Sequence, residues 1–600
     1  MSGFCGFLGK TDGNVVKSMI KTLAKNGSPA PVFFSDGYIH LGFVPYVSDD
    51  SMLIGHNESF TVWAMIECAC GDERFCAQTF IENYEREGIS FVSKLSEKFS
   101  AILWDGVKKR LYLVRDRYGS KPLFYSKRKN GFAFSTEVKA ILGCDGDKEE
   151  INFGAVYEYM SFQSVYSEET VFENVKPVLP GYIGIYCNHE YTENEYANLM
   201  FGLKSRDGYE VAADKIERML TGTIQNSVVR DSGIFLSGGL DSSLVAALAK
   251  KGSIKYAFCL KPTTKEGSIH QKEEDVLYSA QLAKTLGMEH HVLEMKPEEL
   301  LKDIDDIVGS FAQPFSGTMS TYFLAKKAAD YTKHIVTGDG ADELFGSYTH
   351  HRVVLPLQRF ARMKECGESF IDRKELKPYD DMIPFLDELY GYGGKNETLW
   401  YYRLLQMGDE EKSIFLNKDR FGKYVECRKT LHRCVEWDKK LKSHGILNRS
   451  LERDFYHLLP GHTLYYQDTL ARESGINMIM PFLDNELTDY VATLPQEYKI
   501  KDGIDKAVLR EIGRKKLPME IINRRKEPFS LPVTEWMKVE LKEFITDVLS
   551  EEMIKRYGLL DADCVQYAMN EFYRCPNTKS FYGGMLWTMA MLQKWAMLYM

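Results

Sequence analysis

Gly233-Ile234-Phe235-Leu236-Ser237-Gly238-Gly239-Leu240-Asp241-Ser242-Ser243 decides the fold of this 600-residue chain. The apolar run Ile234-Phe235-Leu236, bounded by turn residues, predicts a short buried strand. Ser237-Gly238-Gly239 follows at once, and its glycines permit a tight turn with backbone N–H groups close to a ligand. Residues 244–249 predict a helix, which puts Ser242 and Ser243 at its start. Free N–H groups and the positive end of the helix dipole favour an anion there. Strand, glycine turn and hydroxyl-rich helix start together make a phosphate cradle. It differs from GxxxxGK[ST], whose spacing and lysine are absent. A carboxylate beside phosphates is repulsive unless a cation lies between them, so Asp241 is a candidate magnesium ligand. An ordinary Ser/Asp helix cap is the plainer reading of the turn.

The loop resembles the pyrophosphate loop of the ATP-pyrophosphatase superfamily. Those enzymes cut ATP between the α and β phosphates and move AMP onto an acceptor. The resemblance makes Leu236, Ser237, Gly238, Gly239, Asp241, Ser242 and Ser243 candidate ATP-binding residues. Residues 211–228 and 275–283 read as helices, and residues 256–260 and 291–293 as strands. That alternation implies a parallel, doubly wound sheet with its ligand at the carboxyl ends of the strands. Leu236 and Cys259 are expected to end the first two strands and border the adenine.

A second strand and glycine turn, residues 334–346, carries Asp339, Asp342 and Glu343. Clustered carboxylates repel unless a metal or a raised pKa relieves them, and beside an ATP loop magnesium is the economical explanation. Acids capping a helix are the alternative. Charged segments follow at 505–510 and 523–530. Negative charge developing on the phosphates needs fixed cations, and Lys526, then Lys506, are the candidates. A basic run standing alone is as a rule a solvated surface. Residues 347–455 read as helices covering the sheet. The adjacent His350 and His351 are expected to face different ways rather than share a metal.

Residues 1–200 read differently. The opening nine residues pack small side chains around apolar ones, as in a strand whose backbone is closely approached. Residues 100–105, 110–116 and 123–125 are further strands, and residues 134–142 open a helix with a hydroxyl cap. The sum is a layered αβ domain rich in antiparallel strands.

Met1-Ser2-Gly3, the turn Arg115-Asp116-Arg117-Tyr118-Gly119-Ser120-Lys121-Pro122-Leu123-Phe124-Tyr125 and residues 134–142 occur in that order. They resemble the Met-Cys-Gly, RDxxGxxPLYY and FASExKALL segments of the glutaminase domain of the asparagine synthetase family. Residues 334–346, 481–484, 505–510 and 523–530 are similar to the family's GEGSDE, PFLD, TKxxLR and RxKEQFS segments. The resemblance runs from Ser2 to Trp595. It implies an αββα sandwich of the N-terminal-nucleophile (Ntn) hydrolase type over residues 1–200. Over 201–600 it implies a parallel-sheet ATP-pyrophosphatase domain, adenine nucleotide α-hydrolase-like, with helical additions. It further implies that Asp342 joins Asp241 on Mg2+, that Thr337 and Gly338 border the nucleotide, and that Asp339 is the acid/base taking a proton from the attacking amine. The β-lactam synthetases have Tyr at that position, so Asp339 argues against that subgroup.

The first half departs from the family. Ser2 stands where removal of Met1 would expose the nucleophilic cysteine. A thiol, with a pKa near ~8.5, is partly thiolate at neutral pH, whereas a hydroxyl is not. RGPD is replaced by Lys25-Asn26-Gly27-Ser28-Pro29-Ala30, and Phe43-Val44-Pro45 lacks the expected arginine. Met65-Ile66-Glu67-Cys68 lacks the Asn-Gly of the oxyanion hole, and residues 75–79 lack the acid for the glutamine amine. Each lost oxyanion donor costs roughly 10²–10³ in rate. The expectation is a pseudo-glutaminase. Cys5 as a relocated nucleophile is the rival reading; a small buried strand residue is the simpler one. In the second half, Asn477-Met478-Ile479-Met480 replaces EVRV, which suits an acceptor larger or less polar than aspartate.

Six hundred residues exceed a single core. A net charge of −9 with interspersed signs argues against a nucleic-acid surface. The twelve cysteines show no paired metal spacing, Cys68-Ala69-Cys70 being too tight. No signal segment and no run of ~18–20 apolar residues is present. Residues 585–600, interrupted by Gln593 and Lys594, read as a packed helix. A cytoplasmic location with reduced thiols is expected. The expected function is an AMP-forming amide ligase using ATP and Mg2+ on a small-molecule or peptide carboxylate. The amine is expected to attack intramolecularly, as in the lasso-peptide macrolactam cyclases. Asparagine synthesis from ammonia or glutamine, and a non-catalytic scaffold, are the alternatives. A homodimer and biosynthetic partner proteins both remain open.

Overall fold

The computed structural model describes the chain apart from residues 1–2, 10–12, 25–28, 46–52, 69–74, 145–148, 166–167, 203–204, 265–266, 269, 367–381, 525–529 and 575–580. Ser2 and Lys526 therefore lie outside the described residues. The first part contains two six-stranded antiparallel sheets. One runs Lys176–Pro177, Phe124–Arg128, Gly131–Ser135, Gly3–Gly9, Ile39–Val44, Val32–Ser35. The other runs Glu190–Glu195, Tyr182–Cys187, Arg110–Arg115, Phe99–Asp105, Val62–Cys68, Ile54–His56.

Alternation along each strand explains the layering. Phe4, Leu41, Met65, Ile102 and Phe134 meet between the sheets. Their neighbours Ala64, Ile66, Ala101 and Leu103 face outward and are covered by Phe80, Ile81 and Tyr84 of the helix Ala77–Glu87. Cys5 and Phe7 are covered by Val16, Met19 and Ile20 of the helix Asn14–Leu23. The result is the expected αββα sandwich. Gly6 is held at zero side chain by this packing. A Cβ there would lie 2.2 Å from Phe134 Cζ and 2.9 Å from Leu41 Cδ2. Gly6→Ala is expected to destabilise the domain by about 1–3 kcal/mol through overpacking, read as a lower urea midpoint.

The second part is built on one six-stranded sheet in which Glu289–Met295, Ile254–Thr264, Ser232–Phe235, His334–Val336 and Asn477–Ile479 run parallel in that order, and the two-residue strand Gly267–Ser268 pairs antiparallel with the end of Ile254–Thr264. Ser232–Phe235 is buried throughout, as befits a central parallel strand. Helices dominate the described part of residues 347–455. The last helix, Phe581–Tyr599, packs Leu586, Met589, Leu592 and Trp595 into the core. No described helix is long and apolar enough to cross a membrane.

Three local expectations need correction, and one strand went without any expectation. Gly131–Ser135 is a strand, and the helix starts only at Val138, with Glu137 at its N-cap and no side-chain cap bond. The Ser135 hydroxyl donates instead to Phe4 O (3.0 Å) and accepts from Glu137 N (3.1 Å), tying the strand end to its neighbour. The second strand continues to Thr264, so Cys259 is buried in mid-strand rather than at an end. Asn477–Ile479, three residues long, is a strand only because Val336 and its neighbours pair with it. His350 and His351, expected to diverge, both reach Asp454, because the start of the helical segment Asp454–Leu464 lies against the first turn of their helix, where their rings are 4.4 Å apart.

Candidate active site

Both glycine turns leave the carboxyl ends of adjacent parallel strands, so they meet. Gly238 (φ 67°) makes the first turn, and the helix Leu240–Leu248 begins directly after Gly239. The Ser237 hydroxyl accepts from Gly239 N at 3.3 Å and lies 3.2 Å from Ser242 Oγ. In the second turn Gly340 (φ 89°) lets the chain double back against Leu483. Gly338 is the contact point. A Cβ there would come within 2.8 Å of Asp241 Cβ and 3.1 Å of Ser242 N. Glycine at 338 is what allows Asp241 and Asp342 to share one cleft. Thr337 Oγ1 donates to Asp339 Oδ2 (2.9 Å), which fixes that carboxylate at the cleft wall.

Lys506 joins the acids. Its ammonium lies 2.5 Å from Asp241 Oδ2 and 2.5 Å from Asp342 Oδ1. The residue is 3% exposed and takes a left-handed conformation (φ 50°). A non-glycine residue holds that conformation at a cost of about 1–3 kcal/mol, which its surroundings must offset. Asp241 Oδ1 is buried with no hydrogen-bond partner. Two carboxylates around a cation position, one with an unused oxygen, are a donor set that suits Mg2+. Burial, then the neighbouring Asp342, pushes the Glu343 carboxyl up to about 8. Two arginines complete the rim. Arg524 donates to Ser237 O (3.3 Å) and pairs with Asp275. Arg510 pairs with Asp505 (2.5 Å) and also donates to the carbonyl oxygens of Ile522 and Arg524, which ties the basic segment to the cleft.

The asparagine synthase family profile matches residues 216–597, and the glutamine amidotransferase domain profile matches residues 76–197. The chain belongs to the asparagine synthase family. Asparagine synthetase [glutamine-hydrolyzing] 1 of Bacillus subtilis is 24% identical over 95% of this chain and 94% of its own length. A putative asparagine synthetase [glutamine-hydrolyzing] of Mycobacterium tuberculosis is 25% identical over 86% and 79%. Amidase chyE of Penicillium rubens is 26% identical over 82% and 78%. The family is one of ATP-dependent ligases, and this chain is an asparagine synthetase-like enzyme.

Within this synthetase half the structure brings together Ser237, Gly239, Asp241, Ser242, Thr337, Gly338, Asp339, Asp342 and Lys506 on one wall-to-wall cleft. Leu236 and Cys259 are buried in the core instead, and Gly238 and Ser243 stand behind the wall. Sequence reasoning missed Thr321 and Gln467, which face the same cleft from helices, while Met478 faces it from the edge strand that replaces EVRV. No local motif marks Thr321 or Gln467. Asp275, Asp505, Arg510 and Arg524 carried a signal, being charged residues inside segments already singled out.

In the amidotransferase-like half, the profile match begins at residue 76, beyond most of the altered segments. Glu67 stands where the oxyanion donors were sought. It is 2% exposed, and a Cβ on Gly3 would sit 3.8 Å from its Oε2. Arg472 of the synthetase half, fully buried, pairs with Glu67 (2.8 Å) and Asp468 (2.8 Å), and Lys121 pairs with Asp468 (2.5 Å). Burial holds the Cys5 thiol well above its ordinary pKa, which makes it unsuitable as a nucleophile. The Arg115–Tyr125 turn fastens the two halves, with Tyr118 OH 2.7 Å from Thr488 Oγ1 and Arg117 2.5 Å from Asp489.

Proposed function

We propose that this ligase activates a carboxylate with ATP and Mg2+, and that an amine of the same substrate molecule displaces AMP without help from glutamine. Glu67 carries the reading. A carboxylate buried beside Gly3 opposes the negative oxygen that glutamine hydrolysis must develop there, where neutral N–H donors are needed. A ligase without its own ammonia must take the amine from a substrate. An amine already tethered to the activated carboxylate reacts at a high effective concentration. Ser237, Gly239 and Ser242 would hold the phosphates, and Asp241 and Asp342 the Mg2+, which supplies charge neutralisation at the pyrophosphate. Asp339 would take the proton of the attacking amine, and Lys506, with Lys526, would stabilise charge on the phosphates. Phe235 and Met478 give the cleft an apolar wall suited to a peptide or another large acceptor. The domains are proposed to divide near residue 200, with the protein acting in the cytoplasm.

A second reading rests on the relatives: their names favour asparagine formation from aspartate. AMP release from ATP and Mg2+ with aspartate, supplied with glutamine, ammonium or neither, separates the two. The proposal expects no aspartate-dependent AMP in any arm. Asparagine from ammonium alone supports the second reading, and asparagine from glutamine overturns the pseudo-glutaminase. Ser2→Ala is expected to leave turnover on the true substrate within about twofold, since the proposal gives that hydroxyl no part in the reaction.

A further inference from the structure

A second cluster of metal-binding groups lies outside the cleft. The helix Thr349–Cys366 opens with His350 and His351, and the π-helical segment Asp454–Leu464 opens with Asp454. His350 Nε2 lies 2.6 Å from Asp454 Oδ2, and His351 Nε2 lies 2.9 Å from the same oxygen. His351 and Asp454 are both 0% exposed. Asp454 Oδ1 and His351 Nδ1 are buried with no hydrogen-bond partner. The adjacent Arg453 pairs with Asp438 at 2.5 Å and reaches Asp454 only through the longer-range field. The field around Asp454 also contains Glu343 and, through it, Asp342. A buried carboxylate is thus left with two imidazoles, an unused oxygen and acidic neighbours.

We propose that His350 Nε2, His351 Nε2 and the Asp454 carboxylate bind one divalent transition-metal ion of the zinc type, at a site distinct from the Asp241–Asp342 pair. Nitrogen and oxygen donors in this ratio suit such an ion. Tetrahedral coordination at about 2.0–2.1 Å separates ligand atoms by roughly 3.3 Å, so the carboxylate oxygen and the two imidazole nitrogens, now 2.6 and 2.9 Å apart, need to spread by about 0.4–0.7 Å. A small void against His350, bounded also by Val353, Glu397, Tyr401 and Arg453, adjoins the cluster on one side. The ion would cancel the buried charge and engage Asp454 Oδ1. It would also clamp the start of the Thr349–Cys366 helix, which follows the Asp342 turn, to the segment at Asp454. The alternative is a hydrogen-bonded His–Asp–His chain with no metal.

The test uses the full-length protein, stripped with chelator, dialysed against Zn2+ and analysed for bound metal. Wild type and Asp241→Asn are each expected to retain about one Zn2+ per chain and to melt at a higher temperature with Zn2+ than without. Asp454→Asn and His350→Gln should retain about none and show no Zn2+-dependent rise in melting temperature. His350 is the safer position, since its ring is 17% exposed and its loss leaves the His351–Asp454 contact in place. Co2+ serves as a second probe: an intense visible absorption in wild type that is absent from both variants supports the site. Equal Zn2+ in all four proteins, or none in wild type, overturns the proposal.

Discussion

Asp241→Asn is expected to reduce AMP formation by at least roughly 10³-fold while the protein stays folded. A single preorganised polar group directed at developing charge is worth about 10²–10³ in rate. Asp241 is one of two anchors of Lys506 (2.5 Å), and in the proposed mechanism it is also an anion for the magnesium. An amide keeps the shape and removes the charge. The proposed Mg2+ would then lose a hard anionic ligand, and the ammonium of Lys506 is left to Asp342 alone, also at 2.5 Å. That remaining pair keeps Lys506 neutralised, so the melting temperature should move little. The measurement is ATP–pyrophosphate exchange and AMP release beside a thermal melt. Exchange at the wild-type rate would remove Asp241 from the chemistry. A collapsed melt would make its role structural.

The legibility of the chain follows from how local each signal is. Ser237–Ser243 and the turn at 337–346 were readable because one backbone conformation forces glycine and hydroxyl residues into a short run. Gly238 and Gly340 both take positive φ, which few other residues accept. The sandwich was readable because strand alternation separates Met65 from Ala64 and Ile66. Asn477–Ile479 was not, since three residues hold no period and the strand exists only by pairing with His334–Val336. Thr321 and Gln467 were equally silent. Their hydroxyl and amide are hydrogen-bonded to each other across 146 positions of sequence. The apolar run ends near Cys259, whereas parallel pairing with Glu289–Met295 carries the strand on through Lys261 and Pro262, so hydropathy alone does not mark the strand's end. The Glu67–Arg472 contact spans 405 positions, and either residue read alone resembles an ordinary charged surface group.

That contact should give the largest stability effect in the molecule. Arg472→Met is expected to cost about 3–5 kcal/mol, the range for removing one member of a buried ion pair. Methionine fills the space but leaves Glu67 buried with no cation at hydrogen-bond distance, since Lys121 is already 2.5 Å from Asp468. Burial already raises the Glu67 carboxyl even though Arg472, then Lys121, pull it down. Losing the guanidinium raises it further. The folded state then binds a proton that the unfolded state releases above its ordinary pKa, so stability is retained below that value and lost as pH rises toward the folded pKa. The deficit of Arg472→Met should therefore be larger at pH 8 than at pH 5, in urea unfolding followed through the interface. Glu67→Gln with Arg472→Met should recover much of the loss, because the stranded charge is gone. A single-variant loss below about 1 kcal/mol, or no recovery in the pair, would show that the contact is no more than a surface-like ion pair.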